Sequence, residues 1–210
     1  MTDPALPDVP DHYFTGAPAT DAERRTKTVR IAGREVEVEV AAGVFSPGRI
    51  DLGTQVLLRE VPAPPAEGNL LDLGCGWGPL TLTLATESPR ATVWAVDVSE
   101  RALDLTRRNA ERLGLDNVRT ATPDAVPADV TFAAIWSNPP IRVGKDVLHG
   151  MLRTWLPRLA PTTSDADGAW LVVQKNLGSD SLARWVEAHL ELPVERTNSA
   201  KGYRILRVTR

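Results

Sequence analysis

The sequence predicts an α/β fold: a mostly parallel, seven-stranded sheet with helices on both faces, an antiparallel strand at its C-terminal end, and a small β appendage at its N-terminus. Three observations carry this expectation. From residue 69 onward, short apolar runs alternate with helix-length segments, the order that builds a parallel sheet. The last two strand-like runs, near 193–197 and 203–209, have only Asn198, Ser199, Ala200, Lys201 and Gly202 between them. No crossover helix fits there, so those strands must run antiparallel. Ahead of the alternation, Val36, Val38 and Val40 interleave with Glu35, Glu37 and Glu39, as in a strand with one wet face.

Taken in order, residues 1–11 read as a flexible tail, broken by Pro4, Pro7 and Pro10. Residues 12–60 form the appendage: a hairpin over 27–40 turning at Ala32-Gly33, a short strand at 43–45 and a helix from Gly53 to Glu60. The proline-rich stretch 61–68 connects it to the main fold, which occupies 61–210. There, strands are expected at 69–73, 91–96, 117–121, 130–136 and 169–175. The helix after Asp97 has Ser99 as its N-cap and stops at Gly114. Another spans Lys145 to Leu159, with Leu148, Met151, Leu152, Trp155 and Leu159 at helical spacing, and a last one runs from Ser179 to Leu190.

A chain of 210 residues suits one domain with an appendage and buries enough surface to need no disulfide or metal staple. Its single cysteine, Cys75, excludes an internal disulfide framework, and His12, His149 and His189 stand too far apart in sequence for a zinc motif. No metal is expected. The formal charge of −3 argues against non-specific nucleic-acid binding, so any RNA contact needs a local basic patch. No apolar run is long enough for a membrane span, and the N-terminus does not read as a signal peptide. The expected location is the cytoplasm.

Three motifs carry chemistry. In LLDLGCGWGPL (70–80) a buried strand containing Asp72 runs into Gly74, Gly76 and Gly78 and then a helix. Such a turn lets a ligand approach the backbone at the carboxyl end of a strand. Proline at 79 departs from the dinucleotide fingerprint, which weakens a nicotinamide or flavin reading. Asp97 ends the next strand, about 20 residues on, where an acid can accept hydrogen bonds from a ribose diol or cap the following helix. SNPP (137–140) ends the fourth strand. Its prolines make the turn rigid, so the Asn138 amide and the adjoining Pro139 carbonyl offer two fixed acceptors to a planar amino group.

Together these motifs resemble class I S-adenosylmethionine-dependent methyltransferases, whose fold is Rossmann-like. The resemblance implies S-adenosyl-L-methionine as cofactor, with Gly74, Gly76 and Gly78 around its methionine moiety beside Asp72, and Asp97 on its ribose. It implies Asp124 near the adenine and Asn138 bordering both cofactor and acceptor. Within that family, GVFS (43–46), DLGTQVLL (51–58), SNPPIRVGK (137–145) and GYRIL (202–206) are similar to the "methyltransferase small" group. That group includes ribosomal RNA guanine 2-amino methyltransferases of the RsmC type. The resemblance implies a catalytic pair, Asn138 and Pro139, and an acceptor amine on guanine of 16S ribosomal RNA. Free RNA or the small ribosomal subunit is the implied partner, met by a monomer.

This chain departs from the commonest pattern at Ile141, where an aromatic would stack on the base. Stacking is then expected from Phe45 or Tyr203, with apolar contact from Pro140 and Ile141. Arg142 and Lys145 follow the Asn-Pro-Pro turn and suit phosphate contact. Arg24, Arg25, Lys27, Arg30 and Arg34 are interspersed with acids and read equally as a solvated face. Cys75 reads as a small residue in a tight turn, His149 as a surface histidine, and Trp94, Trp136, Trp155, Trp170 and Trp185 as core. Trp77 suits either a structural or a cofactor-side role. A protein-glutamine methyltransferase, a nucleic-acid adenine amino-methyltransferase and a non-catalytic cofactor-binding module are the competing readings.

Overall fold

The structure, a computed structural model, describes residues 16–140 and 143–210. The tail expected over 1–11, and the candidate residues Ile141 and Arg142, lie outside the described residues.

Two sheets form. The appendage hairpin pairs β1 (Arg25–Ile31) with β2 (Arg34–Val40) across a two-residue turn in which Ala32 and Gly33 both have positive φ. Such a turn matches the twist of the flanking strands. The main sheet comprises β3 (Glu67–Leu73), β4 (Arg90–Val96), β5 (Val118–Ala121), β6 (Ala134–Ser137), β7 (Gly168–Gln174), β8 (Val194–Ala200) and β9 (Tyr203–Val208). Their spatial order is β5-β4-β3-β6-β7-β9-β8. The first five are parallel, and β9 inserts antiparallel between β7 and β8. The chain order reverses beside β3, between β4 and β6, which places the ligand crevice at the carboxyl ends of those strands.

Helices cover both faces. Residues such as Val56 and Leu57 of α1 (Leu52–Glu60) and Leu80 and Leu84 of α2 (Pro79–Glu87) pack on Leu70, Val93 and Trp136. On the opposite face, α4 (Lys145–Trp155) and α5 (Ser179–Leu190) bury Leu152, Trp155, Leu182 and Val186 against Leu71, Ile135 and Leu171. By packing, then, α1 rests on the main sheet, and the proline-rich connector after it runs between two parts of a shared core. Trp155, Trp136 and Trp170 are buried as expected; Trp185 is half-buried and stacks on His149 at 3.8 Å.

α3 (Glu100–Arg112) starts at Ser99, whose hydroxyl accepts from the Ala102 N–H, and carries the hairpin. Val29, Ile31, Val38 and Val40 form a second core with Trp77, Leu82 and Leu105. Arg101, almost fully buried, donates to the Ala17 and Ala42 carbonyls and pairs with Glu23. Asn109 bridges three elements: its Oδ1 accepts from the Glu39 N–H at 2.6 Å, and its Nδ2 donates to the Glu39 and Trp77 carbonyls, each at 3.0 Å. Asn109→Ala is expected to lower unfolding free energy by about 2–3 kcal/mol, because it leaves buried backbone groups unpaired. Urea unfolding measures it.

Three expected elements differ. Residues 43–45 leave a turn at Gly43 and bend at Val44 and Phe45 rather than forming a strand, since positive φ at Gly43, Ser46 and Gly48 turns the chain. The fourth strand begins only at Ala134. Phe132 instead exchanges backbone hydrogen bonds with Arg158 and Ala160, so the chain joins the ladder only from Ala133, whose N–H donates to the Asn69 carbonyl and whose carbonyl accepts from the Gly168 N–H. α4 ends at Trp155 and tightens into a 3-10 turn over Leu156–Arg158, because Pro157 has no N–H to continue it. In addition, β8 runs on to Ala200, leaving Lys201 and Gly202 alone as the turn before β9.

Candidate active site

The site sits where β3, β4 and β6 end. Gly74 and Cys75 donate their N–H groups to the Val96 carbonyl at 2.8 and 3.1 Å, tying the glycine loop to the end of β4. Asp97 accepts from the Gly76 N–H through Oδ2 at 3.0 Å and from the Ser99 N–H through Oδ1 at 2.9 Å. Burial raises the Asp97 pKa. Gly78 has φ 98° and opens α2; a Cβ there would stand 3.0 Å from Thr106 Oγ1, so glycine is needed for α2 and α3 to approach.

Asp72 lies beneath this loop with 1% exposure. Its Oδ2 accepts from Thr81 N and Oγ1 at 2.8 and 2.6 Å, while its buried Oδ1 has no partner among the described residues. Burial is the main cause that pushes its pKa up to about 7. Cys75 is buried, and desolvation together with Asp97 and Asp72 raises its thiol far above the ordinary value. It is no activated nucleophile. Trp77 is fully buried and donates Nε1 to the Ser46 carbonyl at 3.2 Å, which makes it a structural clamp on loop 42–50.

Asn138 extends from the end of β6. Ser137 is buried, and its hydroxyl donates to the Leu73 carbonyl at 2.7 Å, joining the Asn-Pro-Pro turn to β3. Asn138 Nδ2 donates to Asp51 Oδ2 at 2.6 Å and to Thr54 Oγ1 at 3.1 Å. The same Asp51 oxygen caps α1 by accepting from the Thr54 N–H at 3.2 Å. A Cβ at Gly53 would stand 2.9 Å from Tyr203 Cε1 and 3.3 Å from Asn138 Nδ2. That close approach brings Tyr203 of β9 beside the asparagine. Pro139 is buried and Pro140 exposed.

One cavity joins these groups. Its lining includes Asp72, Gly74 and Gly76 on one side and Asn138, Asp51 and Phe45 on the other. Phe45 is 53% exposed and Arg49, also in the lining, is exposed. Gly78 and Asp97 do not line it; Asp97 adjoins it through Gly76. Asp124 is exposed after β5, the neighbour of β4, with its pKa lowered by hydrogen bonding to Thr122. Lys145 opens α4 and is exposed. Of the N-terminal cations, Arg24 is committed to Asp21 and Glu39, and Lys27 packs along Gly48 of the rim loop. Sequence reasoning missed Asp51, Thr54 and Arg49 as site residues. The signal was there for Asp51, an acid ahead of Thr54 at the start of a helix.

The residues fit the cofactor implied by the motifs. An unpartnered, buried carboxylate oxygen in a glycine-walled cavity calls for a cationic donor, and the amino-acid end of S-adenosylmethionine carries one. Among the described residues no group of three or more His, Cys, Asp or Glu could hold a metal ion, and no helix is long and apolar enough to cross a membrane.

Sheet order, glycine loop and Asn-Pro-Pro turn together define a class I S-adenosylmethionine-dependent methyltransferase domain. The methyltransferase small domain model matches residues 35–207, and the chain belongs to that family. It is 33% identical over 200 residues to the Bacillus subtilis uncharacterised protein YbxB, covering 94% of this chain and 97% of that one. It is also 33% identical over 194 residues to ribosomal RNA small subunit methyltransferase C of Stutzerimonas stutzeri, covering 92% of this chain and 57% of the relative. Among solved structures it is similar to the T. thermophilus 16S rRNA N2 G1207 methyltransferase RsmC in complex with AdoMet and guanosine. That likeness has a TM-score of 0.75 and 25% identity and covers 99% of this chain and 52% of that one. The chain thus spans about half the length of those ribosomal RNA methyltransferases.

Proposed function

We propose that this chain transfers a methyl group to an exocyclic amino group of a nucleobase, N2 of a guanine in 16S ribosomal RNA. The observation that carries the reading is that a single cavity holds both Asp72 with the glycine loop and Asn138 with an exposed aromatic, Phe45, at its rim. The relatives named for small-subunit ribosomal RNA, and the RsmC structure holding guanosine, support guanine as acceptor.

The cofactor supplies a methyl group on a sulfonium sulfur, already an electrophile, and sulfur keeps the bonding pair when the methyl leaves. The protein's task is therefore positioning. Asn138 Oδ1 and the Pro139 carbonyl accept the two hydrogens of the amine and aim its lone pair at the methyl carbon. The nitrogen becomes cationic on forming the new bond and loses a proton to water, so no dedicated base is required. Asp97, with Gly76 beside it, holds the ribose; Asp124 borders the adenine. The target base must leave its stack to enter. Phe45, with Tyr203 behind Asn138, replaces the aromatic absent at 141. Arg49, Lys145 and Arg142 supply phosphate contacts in a chain that is acidic overall.

Methyl transfer from labelled S-adenosylmethionine to small subunits and ribosomal RNA from a strain lacking this gene tests the reading. Nucleosides are then separated by mass spectrometry. N2-methylguanosine is the expected product. No incorporation into either RNA form, with cofactor binding intact, overturns it and directs the search to glutamine acceptors. Phe45→Ala is expected to raise KM for the RNA about tenfold, the loss of one base-stacking contact. Cofactor affinity should be unchanged; steady-state kinetics at varied RNA checks both.

A further inference from the structure

We infer that Asp51 and Thr54 are positioning residues for Asn138, a role that rests on the amino-methyltransferase reading above. A side-chain amide can turn over, exchanging a donor for an acceptor at the same place. An asparagine meant to receive an amine's hydrogens must not do so, because the turned amide would present N–H to N–H. Here both amide hydrogens of Asn138 have partners, Asp51 Oδ2 at 2.6 Å and Thr54 Oγ1 at 3.1 Å. The carboxylate can only accept, so the turned amide would set an oxygen against an oxygen. Oδ1 is thereby fixed as the group left for the acceptor.

Asp51 itself is held. Its Oδ2 accepts from the Thr54 N–H at the first turn of α1, and α1 is anchored in the core through Val56 and Leu57. Gly53, between them, admits no side chain, since a Cβ would meet Tyr203, Asp51 and Asn138 at 2.9, 3.0 and 3.3 Å. The carboxylate also bears on the chemistry. Positive charge moves from sulfur to the amine nitrogen during transfer, and an anion hydrogen-bonded behind Asn138 makes Oδ1 a stronger acceptor for that nitrogen's hydrogens. The N-terminal segment thus supplies part of the active site as well as its rim.

Asp51→Ser separates positioning from helix capping, because serine caps a helix about as well as aspartate but is too short to reach Nδ2. The expected result is a fall in kcat of about 100-fold, the scale of a misplaced acceptor group. S-adenosylhomocysteine affinity and thermal midpoint should stay near wild type. Thr54→Val, which keeps the shape and removes the second acceptor, should lower kcat about tenfold. Asp51→Asn, which keeps the cap and an acceptor oxygen but loses the charge and can itself turn over, should recover only part of the serine variant's loss. Wild-type kcat in Asp51→Ser overturns the proposal. So does a loss of S-adenosylhomocysteine affinity that matches the loss of kcat, since that marks a structural role.

A second readout does not depend on the acceptor. In the wild-type protein with S-adenosylhomocysteine, the ¹⁵N-labelled side-chain amide of Asn138, identified by its loss in Asn138→Ala, should exchange slowly with water. It should move to the solvent-exposed position in Asp51→Ser. A freely exchanging Asn138 amide in the wild type overturns the proposal whatever the substrate proves to be. A protected amide in a protein that methylates no RNA instead upholds the positioning and sinks the guanine reading.

Discussion

Asn138→Ala is expected to lower kcat for methyl transfer by about 10³-fold while leaving S-adenosylhomocysteine affinity within about threefold. In the proposed reaction Asn138 and the Pro139 carbonyl are the two acceptors for the amine, and losing one of a pre-organised pair costs about 10²–10³ in turnover. Freedom of the amine to rotate away from the methyl adds to that loss. Alanine keeps the Asn-Pro-Pro turn, which depends on the prolines and on the Ser137 bond to Leu73, so the cofactor side should survive. The near-isosteric Asn138→Asp is expected to fail as well. It sets a carboxyl group where Nδ2 now lies 2.6 Å from Asp51 Oδ2, and two carboxyls so close must share a proton or move apart. Single-turnover kinetics with small subunits and calorimetric titration of S-adenosylhomocysteine measure the two effects separately. An Asn138→Ala protein with turnover within tenfold of wild type would remove this residue from the mechanism.

About half of the candidate site is legible in the sequence. The proposed cofactor side is local: Asp72, Gly74 and Gly76 lie within one strand-turn-helix segment, and Asp97 follows at the end of the adjacent parallel strand. Periodicity and turn chemistry locate such residues because the backbone itself builds the site. The acceptor side is not local. Asn138 and Asp51 meet across 87 positions, and no sequence period encodes that contact. Asp51 reads in sequence as an acid before a helix, at the start of the DLGTQVLL motif, and its bond to Asn138 depends on how α1 lies on the sheet. The strand expected at 43–45 is absent for a related reason. Val44 and Phe45 suit a strand, but positive φ at Gly43, Ser46 and Gly48 turns the chain, which leaves Phe45 exposed at the cavity mouth. The Trp77 bond to Ser46 fixes that loop to the glycine loop, another contact distant in sequence. The N-terminal basic cluster shows the converse: charges that looked available in sequence include Arg24, already engaged with Asp21 and Glu39.

The pH dependence of cofactor binding tests Asp72 directly. With no cation beside its unpartnered Oδ1, burial raises its pKa to about 7. A bound ammonium group next to Oδ1 favours the ionised form and draws that pKa down. Below about pH 7, therefore, binding must expel a proton, and S-adenosylhomocysteine affinity should rise by up to about tenfold per pH unit from pH 6 before levelling above 7. Stability of the ligand-free protein should move the other way. An acid whose folded pKa exceeds its ordinary value of 3.8 binds more protons folded than unfolded. Its contribution is fully present below about pH 4 and is lost as pH rises to about 7, roughly 4 kcal/mol in all, of which roughly 1 kcal/mol falls between pH 6 and 8. Asp72→Asn keeps the shape and the bonds from Thr81 but cannot ionise. It should bind S-adenosylhomocysteine about 100-fold more weakly at pH 8, with a flat profile from 6 to 8, because a buried charge partner is gone. The same variant should be more stable than wild type at pH 8 without ligand, since it no longer buries an unpaired charge. Affinity loss and stability gain in one substitution is the signature of a group held at a cost for binding, which loss of packing cannot imitate. Calorimetry across pH 6–8 and denaturant unfolding at each pH measure the two arms. A wild-type affinity that does not change over that range would mean that Asp72 faces no cation, and its unpartnered oxygen would then need another ligand.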